Sequence, residues 1–316
     1  MDSFAALLDG PRARGAFLLR CVLNPPWSLL VQDQAPLTVV SVVRGRCVVL
    51  PSGSDTMHLG DGDVAVLRGP DPYVVADSPH TPPQAIIHPG QHCTDPDGNP
   101  LTGLTDLGVR TWGSSPDGAT VLLTGTYQLA SEVSRRLLAA LPTALAVHAA
   151  DWRSPLLGHL ADEVNRDAPG QEVVLDRLLD LLLIGVLRTW LARPDAQAPG
   201  WYAAQSDPVV GAALRLIHER PEQPWTVASL ASAAGVSRAA LARRFHDLVG
   251  EPPMSYLTGW RLARAADLLR EPGATVSAVA HQVGYGSGFA LSTAFKRVRG
   301  TTPTQHRGSL TPAQRP

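Results

Sequence analysis

Apolar and polar residues in the N-terminal half of the chain follow the short pattern of β-strands. Between residues 15 and 127, apolar runs rich in β-branched residues are separated by turn residues: LLRCVLN, SLLVQD, LTVVSVV, RCVVLPSG, DVAVLRG, YVVAD and ATVLLTGTYQL. Runs of this length and spacing predict a sandwich or a barrel, because a closed sheet has no exposed edge strand. Residues 77–112 are rich in Pro, Gly and Asp and fit neither a helix nor a strand. A long loop is expected there, of the kind that is functional or disordered.

Helical spacing replaces the strand pattern after Tyr127. Ser131 is expected to cap a helix that Pro142 ends, and two more helices are predicted over residues 153–165 and 172–192. The last of these helices is apolar over more than half its girth, so it is either central to a bundle or part of a dimer interface. Residues 193–207 are rich in Pro, Ala and Gly without periodicity and predict a flexible linker.

The last third of the chain predicts a helix-turn-helix unit. Thr226 caps its first helix, Gly235 provides the positive φ of the turn, and Ser237 caps the second helix. Three apolar residues of the second helix are expected to pack inward: Leu241, Phe245 and Leu248. The cap and the opposite face supply the candidate contacts to bases and phosphates: Ser237, Arg238, Ala239, Ala242, Arg243 and His246. Small residues beside the arginines let such a helix settle deep in a major groove.

The same order of cap, core, turn and core then returns. A connecting helix over residues 254–270 leads to the cap Thr275, the turn residue Gly284 and a second reading helix from about Ser287 through Arg299. Three residues are again expected to face the core: Leu291, Phe295 and Val298. The outer face is expected to carry the contacts: Ser287, Gly288, Ala290, Ser292, Thr293, Lys296 and Arg297. The pattern leaves Phe289 compatible with either face.

Charge divides the chain into two parts. Residues 200–316 contain 13 Lys and Arg against 7 Asp and Glu, whereas residues 1–199 contain 14 against 21. A basic part beside an acidic one is what attraction to phosphate requires of a DNA-binding part alone. The length of 316 residues suits about two domains.

No membrane span or secretory signal is expected. The most apolar stretch, residues 178–191, is shorter than the roughly 20 apolar residues that a span needs, and the N-terminal residues lack the pattern of a signal. We therefore expect a cytoplasmic protein. Its three scattered cysteines, Cys21, Cys47 and Cys93, are expected to be thiols.

The C-terminal third resembles the AraC/XylS family of transcription regulators. The resemblance covers about a hundred residues and rests on TVASLASAAGVSRAALARRFHDLVGEPP, RLARAADLLR and VAHQVGYGSGFALSTAFKRVRGTTPTQHR. It implies a seven-helix DNA-binding domain whose two reading helices lie about one helical turn of DNA apart. It also implies promoter DNA and RNA polymerase as partners.

The second unit departs from the family pattern at three positions. Thr293 stands where the family commonly has an arginine, and Gly286 and Gly288 replace larger polar residues. The hypothesis that follows gives most of the sequence specificity to Arg238 and Arg243 of the first unit. Lys296 and Arg297 of the second unit would then contact phosphates.

The N-terminal half resembles the cupin-type sensor found in one branch of that family, a branch with a member that answers reactive chlorine through cysteines. The resemblance rests on HLGDGDVAVLRGPDPYVV and on RCVLNPPW around Cys21. The His-x-His pair and Glu of metal-dependent cupin enzymes are missing, and only His58 is nearby. A non-enzyme is therefore expected, with a cupin-type metal enzyme fused to a DNA-binding module as the alternative.

The signal that the sensor answers is left open between three inputs. His88, His92 and Cys93 offer two or three ligands for a metal ion. Alternatively, a histidine lowers the pKa of a nearby thiol and makes it reactive, so that Cys93 and Cys21 sense an oxidant. A small organic molecule in the barrel is the third possibility. Cys47, on an apolar strand, is expected to be core packing.

The chain is thus predicted to be an α+β multi-domain protein. A cupin-like β-barrel covers residues 1–130, a helical linker or dimerisation segment 131–192, a flexible linker 193–207, and an all-α tandem helix-turn-helix domain 208–307. We expect it to be a sequence-specific transcription regulator that acts as an activator. It is expected to sense a small molecule or an oxidant and to form a homodimer.

Overall fold

The protein forms two compact units in a computed structural model that describes residues 17–127, 139, 141–152, 154–193, 196 and 198–308. The N-terminal unit contains residues 17–127 and 141–196, and the C-terminal unit contains residues 198–308. The helix expected from Ser131 lies outside the described residues apart from Ala139.

Strands build most of the N-terminal unit, as the sequence pattern predicts. In chain order they are β1 (Phe17–Leu23), β2 (Ser28–Val31), β3 (Leu37–Arg44), β4 (Cys47–Pro51), β5 (Met57–Leu59), β6 (Val64–Arg68), β7 (Tyr73–Ala76), β8 (Ala85–Ile87), β9 (Cys93–Thr94), β10 (Thr105–Gly108), β11 (Thr111–Gly113), β12 (Thr120–Tyr127) and β13 (Ala144–Val147). All seven apolar runs of the sequence contain a strand: β1, β2, β3, β4, β6, β7 and β12.

The strands form two sheets that enclose one apolar core. The order in the first sheet is β10-β11-β1-β12-β3-β6-β13, and in the second it is β5-β4-β7-β2-β8-β9. In the first sheet, Leu122 lies between Cys21 and Val42 of the two antiparallel neighbours. All three side chains belong to the core, together with Trp27, which is only 1% exposed. This cupin-like arrangement confirms the predicted β-rich fold class.

The stretch of residues 77–112 is not the irregular loop that its composition indicates. It contains the short strands β8, β9 and β10 and the start of β11, with a 3₁₀ turn at Pro89–Gln91. β8 pairs with β2 in parallel, β9 pairs with β8, and β11 pairs with β1 in parallel. Strands of two to four residues are too short to show a period of their own, so only their partners reveal them.

Two helices and one further strand follow among the described residues of the N-terminal unit. The helices are α1 (Leu156–Glu163) and α2 (Gln171–Leu191), close to the predicted bounds. β13, which precedes them, pairs with β6 and extends the first sheet. The sequence pattern gave no strand there, because its four residues follow a proline and precede a helical run.

The C-terminal unit is helical. Its helices are α3 (Gly200–Ala203), α4 (Pro208–Glu219), α5 (Val227–Ala233), α6 (Arg238–Val249), α7 (Pro253–Leu268), α8 (Val276–Gln282), α9 (Gly288–Arg299) and α10 (Pro303–Gly308), with a 3₁₀ turn at Ala204–Ser206. From Pro208 to the last described residue there are seven α-helices, the number that the family resemblance implies. α3 and the 3₁₀ turn fall within the segment expected to be a flexible linker.

The long helix α7 connects the two helix-turn-helix units, as expected. Its buried side chains include Leu257 and Leu262, each 1% exposed. Leu262 joins a core cluster with Leu291 and Phe295 of α9. Tyr256 of α7 also packs against Phe245 of α6, with 5.8 Å between the ring centroids. The helix α7 therefore contacts both helix-turn-helix units.

The prediction that Leu248 and Val298 lie in the core is wrong. Leu248 is 37% exposed and Val298 is 53% exposed, although Phe245 and Phe295 three residues earlier are fully buried. Both lie in the last turn of their helices, on the same side as the buried residues Leu241 and Leu291. They lie one turn beyond the part of the helix that contacts the core. Helical periodicity predicts the side of a helix and not where its partner ends.

Candidate nucleic-acid interface and sensor cavity

The first helix-turn-helix is held by hydrogen bonds at both of its helix starts. Thr226 Oγ1 accepts from the Ser229 N–H at 3.0 Å, and Ser229 Oγ accepts from the Thr226 N–H at 2.9 Å. This reciprocal capping satisfies main-chain donors that a helix start leaves unpaired. Gly235 has φ +71° in the turn, and Ser237 Oγ accepts from the Ala240 N–H at 3.2 Å. The predicted caps and turn are thereby confirmed.

The predicted reading face of α6 points away from the core. Five of its six candidate residues are exposed and one is half-buried: Ser237, Arg238, Ala239, Arg243 and His246, with Ala242 half-buried. Leu241 and Phe245, on the other side, are fully buried. The face therefore combines two long cationic side chains with small residues, which fits contact with a groove.

Arg244, next to Arg243, has a different role that the sequence pattern did not reveal. Its Nε and Nη2 donate to the Asp207 carboxylate at 2.7 and 2.6 Å. The other oxygen of Asp207 accepts from the N–H groups of Val209 and Val210 and so caps α4. Desolvation raises the pKa of Asp207, but the hydrogen bonds from these main-chain N–H groups and from Arg244 outweigh it and lower the pKa. Arg244 thus fixes α6 to α4, and Arg243 stays available on the surface.

The second helix-turn-helix repeats the caps and requires its glycine more strictly. Thr275 Oγ1 accepts from the Ala278 N–H and Ser287 Oγ accepts from the Ala290 N–H, both at 3.2 Å. Gly284 has φ +84°, and a Cβ there would lie 2.7 Å from the carbonyl oxygen of Glu222. Any side chain at position 284 would therefore push the turn away from the loop before α5.

Small side chains dominate the predicted reading face of α9. Ser287, Thr293, Lys296 and Arg297 are exposed, and Gly288, Ala290 and Ser292 are half-buried. The Ser292 hydroxyl donates to the Gly288 carbonyl at 2.8 Å, and the Thr293 hydroxyl donates to the Phe289 carbonyl at 3.0 Å. Phe289 itself is 83% exposed, which settles its place on the outer face.

Arg261 of α7 connects the two helix-turn-helix units, which sequence reasoning also missed. Its Nε donates to the Pro221 carbonyl and its Nη2 to the Gln223 carbonyl, both at 2.6 Å. Its guanidinium carbon lies 5.9 Å from the ring centroid of Tyr285 in the turn of the second unit. Half-burial lowers the pKa of Arg261. The only available signal was its place in the motif RLARAADLLR.

A cavity lies inside the barrel of the N-terminal unit. The space is partly open to solvent and is lined mainly by apolar side chains. The lining comes from strands of both sheets and from the segment 77–112: Leu19, Cys21, Leu29, Val31, Asp33, Val40, Tyr73, Val75, Ile87, Gln91, Leu122, Thr124 and Thr126. The Thr126 hydroxyl is buried and has no hydrogen-bond partner among the described residues. A mostly apolar cavity with a few polar groups is the usual form of a small-molecule site.

The three cysteines are free and differ in exposure. Cys21 lines the cavity, and burial, with a smaller effect of Cys93, raises the pKa of its thiol to about 12. Cys47 is 2% exposed in the core, as expected, and burial raises its pKa to about 12 as well. Cys93 is half-buried, and burial also raises its pKa. At neutral pH, thiols of this kind are protonated and therefore poor nucleophiles.

The histidines near Cys93 do not assemble a metal site. Both ring nitrogens of His88 are engaged, Nδ1 with Gln32 Nε2 at 3.2 Å and Nε2 with Thr94 Oγ1 at 2.9 Å. His92 is exposed, with its ring centroid 5.9 Å from that of His88. Within the described residues, no group of three or more His, Cys, Asp or Glu side chains is placed to hold a metal ion. The proposed metal at this loop has no support in the geometry.

Comparison with known proteins agrees with both halves of the fold. A cupin family model matches residues 2–192, and a helix-turn-helix domain model matches residues 230–309. AraC-like transcription regulators of Streptomyces antibioticus and Streptomyces lividans are 33% and 32% identical, each over 97% of this chain and 98% of the relative. The RCS-specific HTH-type transcriptional activator RclR of Escherichia coli is 26% identical over 97% of both chains. In the part of the chain that the structure covers, no helix has the length and apolar character needed to cross a membrane.

These relatives are named as regulators and not as enzymes, in agreement with the non-enzyme expected from the sequence. The two capped helix-turn-helix units are the DNA-binding part, and their partner is double-stranded DNA. The barrel is the cupin part. The chain belongs to the AraC/XylS family of transcription regulators, in the group that carries an N-terminal cupin domain.

Proposed function

We propose that this regulator is a transcription activator whose barrel binds a small organic molecule in the cavity lined by Cys21, Val40 and Thr126. The cavity is the observation that carries the proposal, because it offers an apolar site with an unpartnered buried hydroxyl. A buried hydroxyl without a partner costs free energy, and a ligand that hydrogen-bonds to Thr126 recovers it. RNA polymerase is the partner of the DNA-bound form, as the named activity of the activator relative supports.

Sequence preference comes chiefly from α6 in this proposal. Arg238 and Arg243 are exposed and have long donors that reach base edges, with Ser237, Ala239, Ala242 and His246 around them. Lys296 and Arg297, in the last turns of α9, contact phosphates. The first half of α9 meets the groove with residues that have short side chains or none: Ser287, Gly288, Ser292 and Thr293. This division follows because α6 carries long charged side chains in its first half, whereas α9 carries them only near its end.

A homodimer through α2 is part of the same proposal. Val173 is 62% exposed, Val174 44% and Leu181 50%, so the helix keeps apolar side chains on its outer side. Exposed apolar residues grouped on one helix are typical of a protein interface. A second copy is the occupant because DNA-binding regulators gain affinity when two copies bind adjacent sites.

The ligand proposal is tested by thermal denaturation of the full-length protein with a broad set of small organic molecules. We expect some compounds to raise the melting temperature and to change affinity for DNA sites selected from random sequences. Val40→Phe, which fills the cavity, should abolish both effects. The matched control Val109→Phe, at a residue that is 41% exposed, should leave them unchanged. Equal binding of the compounds to the Val40→Phe protein would reject the cavity as the site.

An oxidant acting on the cysteines is a second candidate input. The specific observations are that Cys21 lines the cavity, that Cys93 is the more exposed of these two free thiols, and that one relative is named as an RCS-specific activator. Alkylation followed by mass spectrometry tests it: mild oxidant should protect Cys93 and Cys21 together from alkylation and should alter DNA affinity. Unchanged alkylation and affinity after oxidant would remove this input and leave the organic ligand.

A further inference from the structure

Phe289 stands out among the apolar side chains of the described residues. It is 83% exposed, more than any other large apolar side chain that the structure describes. Burying a phenyl ring in the core stabilises a protein, and this ring makes no such contribution. Single exposed apolar residues are common on protein surfaces, so its exposure alone has no functional meaning. Its position in the second reading helix gives this exposure a functional meaning.

The ring is placed in the first turn of α9. Ser287 caps this helix, and Phe289 is the second helical residue. In helix-turn-helix proteins, the N-terminal residues of the reading helix are those that contact base edges. The neighbours Gly286 and Gly288 have no side chains, so little bulk surrounds the ring on the approach to a groove. In α6 the same position is occupied by Ala239, which has no comparable reach.

The polar groups beside Phe289 are already engaged. The hydroxyls of Ser292 and Thr293 donate their protons to main-chain carbonyls of α9 itself. No long hydrogen-bonding side chain stands at positions 288, 289, 292 or 293. The base-facing part of α9 therefore offers the phenyl ring and the Thr293 methyl group, and hardly any donors. Its chemistry is apolar.

The major groove of B-form DNA contains one apolar feature, the 5-methyl group of thymine. An exposed apolar side chain in the groove gains free energy by covering that methyl group and removing both surfaces from water. Contact with a charged phosphate gives a phenyl ring no such gain in free energy. The base that matches the start of α9 is therefore thymine.

We propose that Phe289 is a specificity-determining residue of the second helix-turn-helix, where its ring packs on the 5-methyl group of a thymine in the major groove. The proposal rests on the contact of α9 with DNA that we propose above. It adds base selection by apolar contact to a helix whose polar residues predict phosphate contact only. The first unit reads through hydrogen bonds of arginines, and the second reads through a methyl group.

Selection of binding sites from random duplex DNA by the full-length protein tests the proposal. Wild-type protein should select two segments about 10 base pairs apart, one of which contains a strongly preferred thymine. Phe289→Ala should lose that thymine and keep the other segment. Phe289→Leu, which stays apolar, should keep the thymine. The control Val298→Ala, at the 53% exposed apolar residue near the end of the same helix, should keep both segments.

Replacement of the preferred thymine by deoxyuridine isolates the methyl group. We expect wild-type affinity to fall roughly four-fold, the factor that corresponds to burial of one methyl or methylene group. The Phe289→Ala protein should bind the thymine and the deoxyuridine sites with equal affinity. A circular dichroism spectrum and melting temperature like those of wild type verify that the variant is folded, as expected at an exposed position.

The alternative results overturn the proposal in distinguishable ways. If Phe289→Ala selects the same thymine, or if deoxyuridine binds wild type equally well, the ring does not read the base, although α9 still contacts DNA. If the second segment shows no preferred base in wild type, α9 reads nothing and the arginines of α6 supply all the specificity. If no sequence is selected at all, both this inference and the proposed assignment of DNA-contact residues fail.

Discussion

The Tyr127 hydroxyl donates a hydrogen bond of 2.8 Å to the main-chain carbonyl of Leu179. Tyr127 ends β12 in the barrel, and Leu179 lies in the middle of α2. Burial and the nearby carboxylates of Asp180 and Asp176 raise the pKa of the phenol well above its ordinary value. The phenol therefore stays protonated and remains a donor, which fixes the helix to the sheet.

Removal of this hydroxyl should weaken the N-terminal unit. Tyr127→Phe is expected to lower the free energy of unfolding by about 0.5 to 1.5 kcal/mol, because one hydrogen bond is lost without a change of shape. Urea denaturation followed by circular dichroism measures the change. No loss of stability would mean that apolar packing alone holds α2.

Gly125 gives a companion test of the same contact. A Cβ at Gly125 would lie 2.7 Å from both methyl groups of Leu179, so Gly125→Ala should cost about 1 to 3 kcal/mol through overpacking. Gly158→Ala in α1 is the matched control, since a Cβ there meets nothing within 4 Å. It should stabilise slightly, because alanine favours a helix.

Acid should destabilise the barrel through Asp63. Its carboxylate accepts from the N–H groups of Gly60 and Ala149 at 2.9 and 2.8 Å and from His148 Nδ1 at 2.9 Å. Desolvation raises the pKa of Asp63, and these bonds outweigh that effect and hold it below the ordinary 3.8. A lowered carboxyl pKa stabilises the fold above the ordinary value, and the contribution is lost as the pH falls through the folded pKa.

The variant Asp63→Asn isolates this effect. At pH 7 it should lose about 1 to 3 kcal/mol of unfolding free energy, as expected for hydrogen bonds to a charged group. The difference from wild type should shrink as the pH falls below about 4, in a series of denaturation curves. A difference that stays constant down to the lowest pH would contradict the assignment.

Arg243 and Arg244 should affect different properties although they are adjacent. Arg243→Ala is expected to cost about 1 to 3 kcal/mol on a selected DNA site and to relax base preference. Arg244→Ala removes the contact with Asp207 and should lower stability while it leaves base preference intact.

Lys296→Ala should weaken binding to all sequences and reduce its salt dependence. Binding assays over several sequences and salt concentrations distinguish the three, and an equal loss on every sequence for Arg243→Ala would contradict base reading.

The exposed side of α2 should control the oligomeric state. Leu181→Glu places a charge among exposed apolar residues and is expected to convert a dimer to a monomer with an unchanged circular dichroism spectrum. His159→Glu, at an exposed residue of α1, is the control that should leave the dimer intact. Sedimentation equilibrium measures both. A wild-type protein that is already monomeric at working concentration would reject the interface.

The sequence by itself determined the local features of this protein. Seven strands follow from short apolar runs, and both helix-turn-helix units follow from caps and turn glycines such as Thr226 and Gly284. Each of these depends on neighbours within a few residues, where residue type and backbone preference decide the conformation. The family motifs extend over a continuous hundred residues and could be recognised for the same reason.

Only the tertiary structure decided what depends on distant partners. The short strands of residues 77–112 exist because β1 and β2 pair with them, and the cavity joins residues as far apart as Leu19 and Thr126. The exposure of Leu248, Val298 and Phe289 depends on where neighbouring helices end, and that distance is not encoded in the period of one helix. The bond from Arg244 to Asp207 spans 37 residues for the same physical reason: long-range contacts arise from the packing of whole elements, which local patterns do not specify.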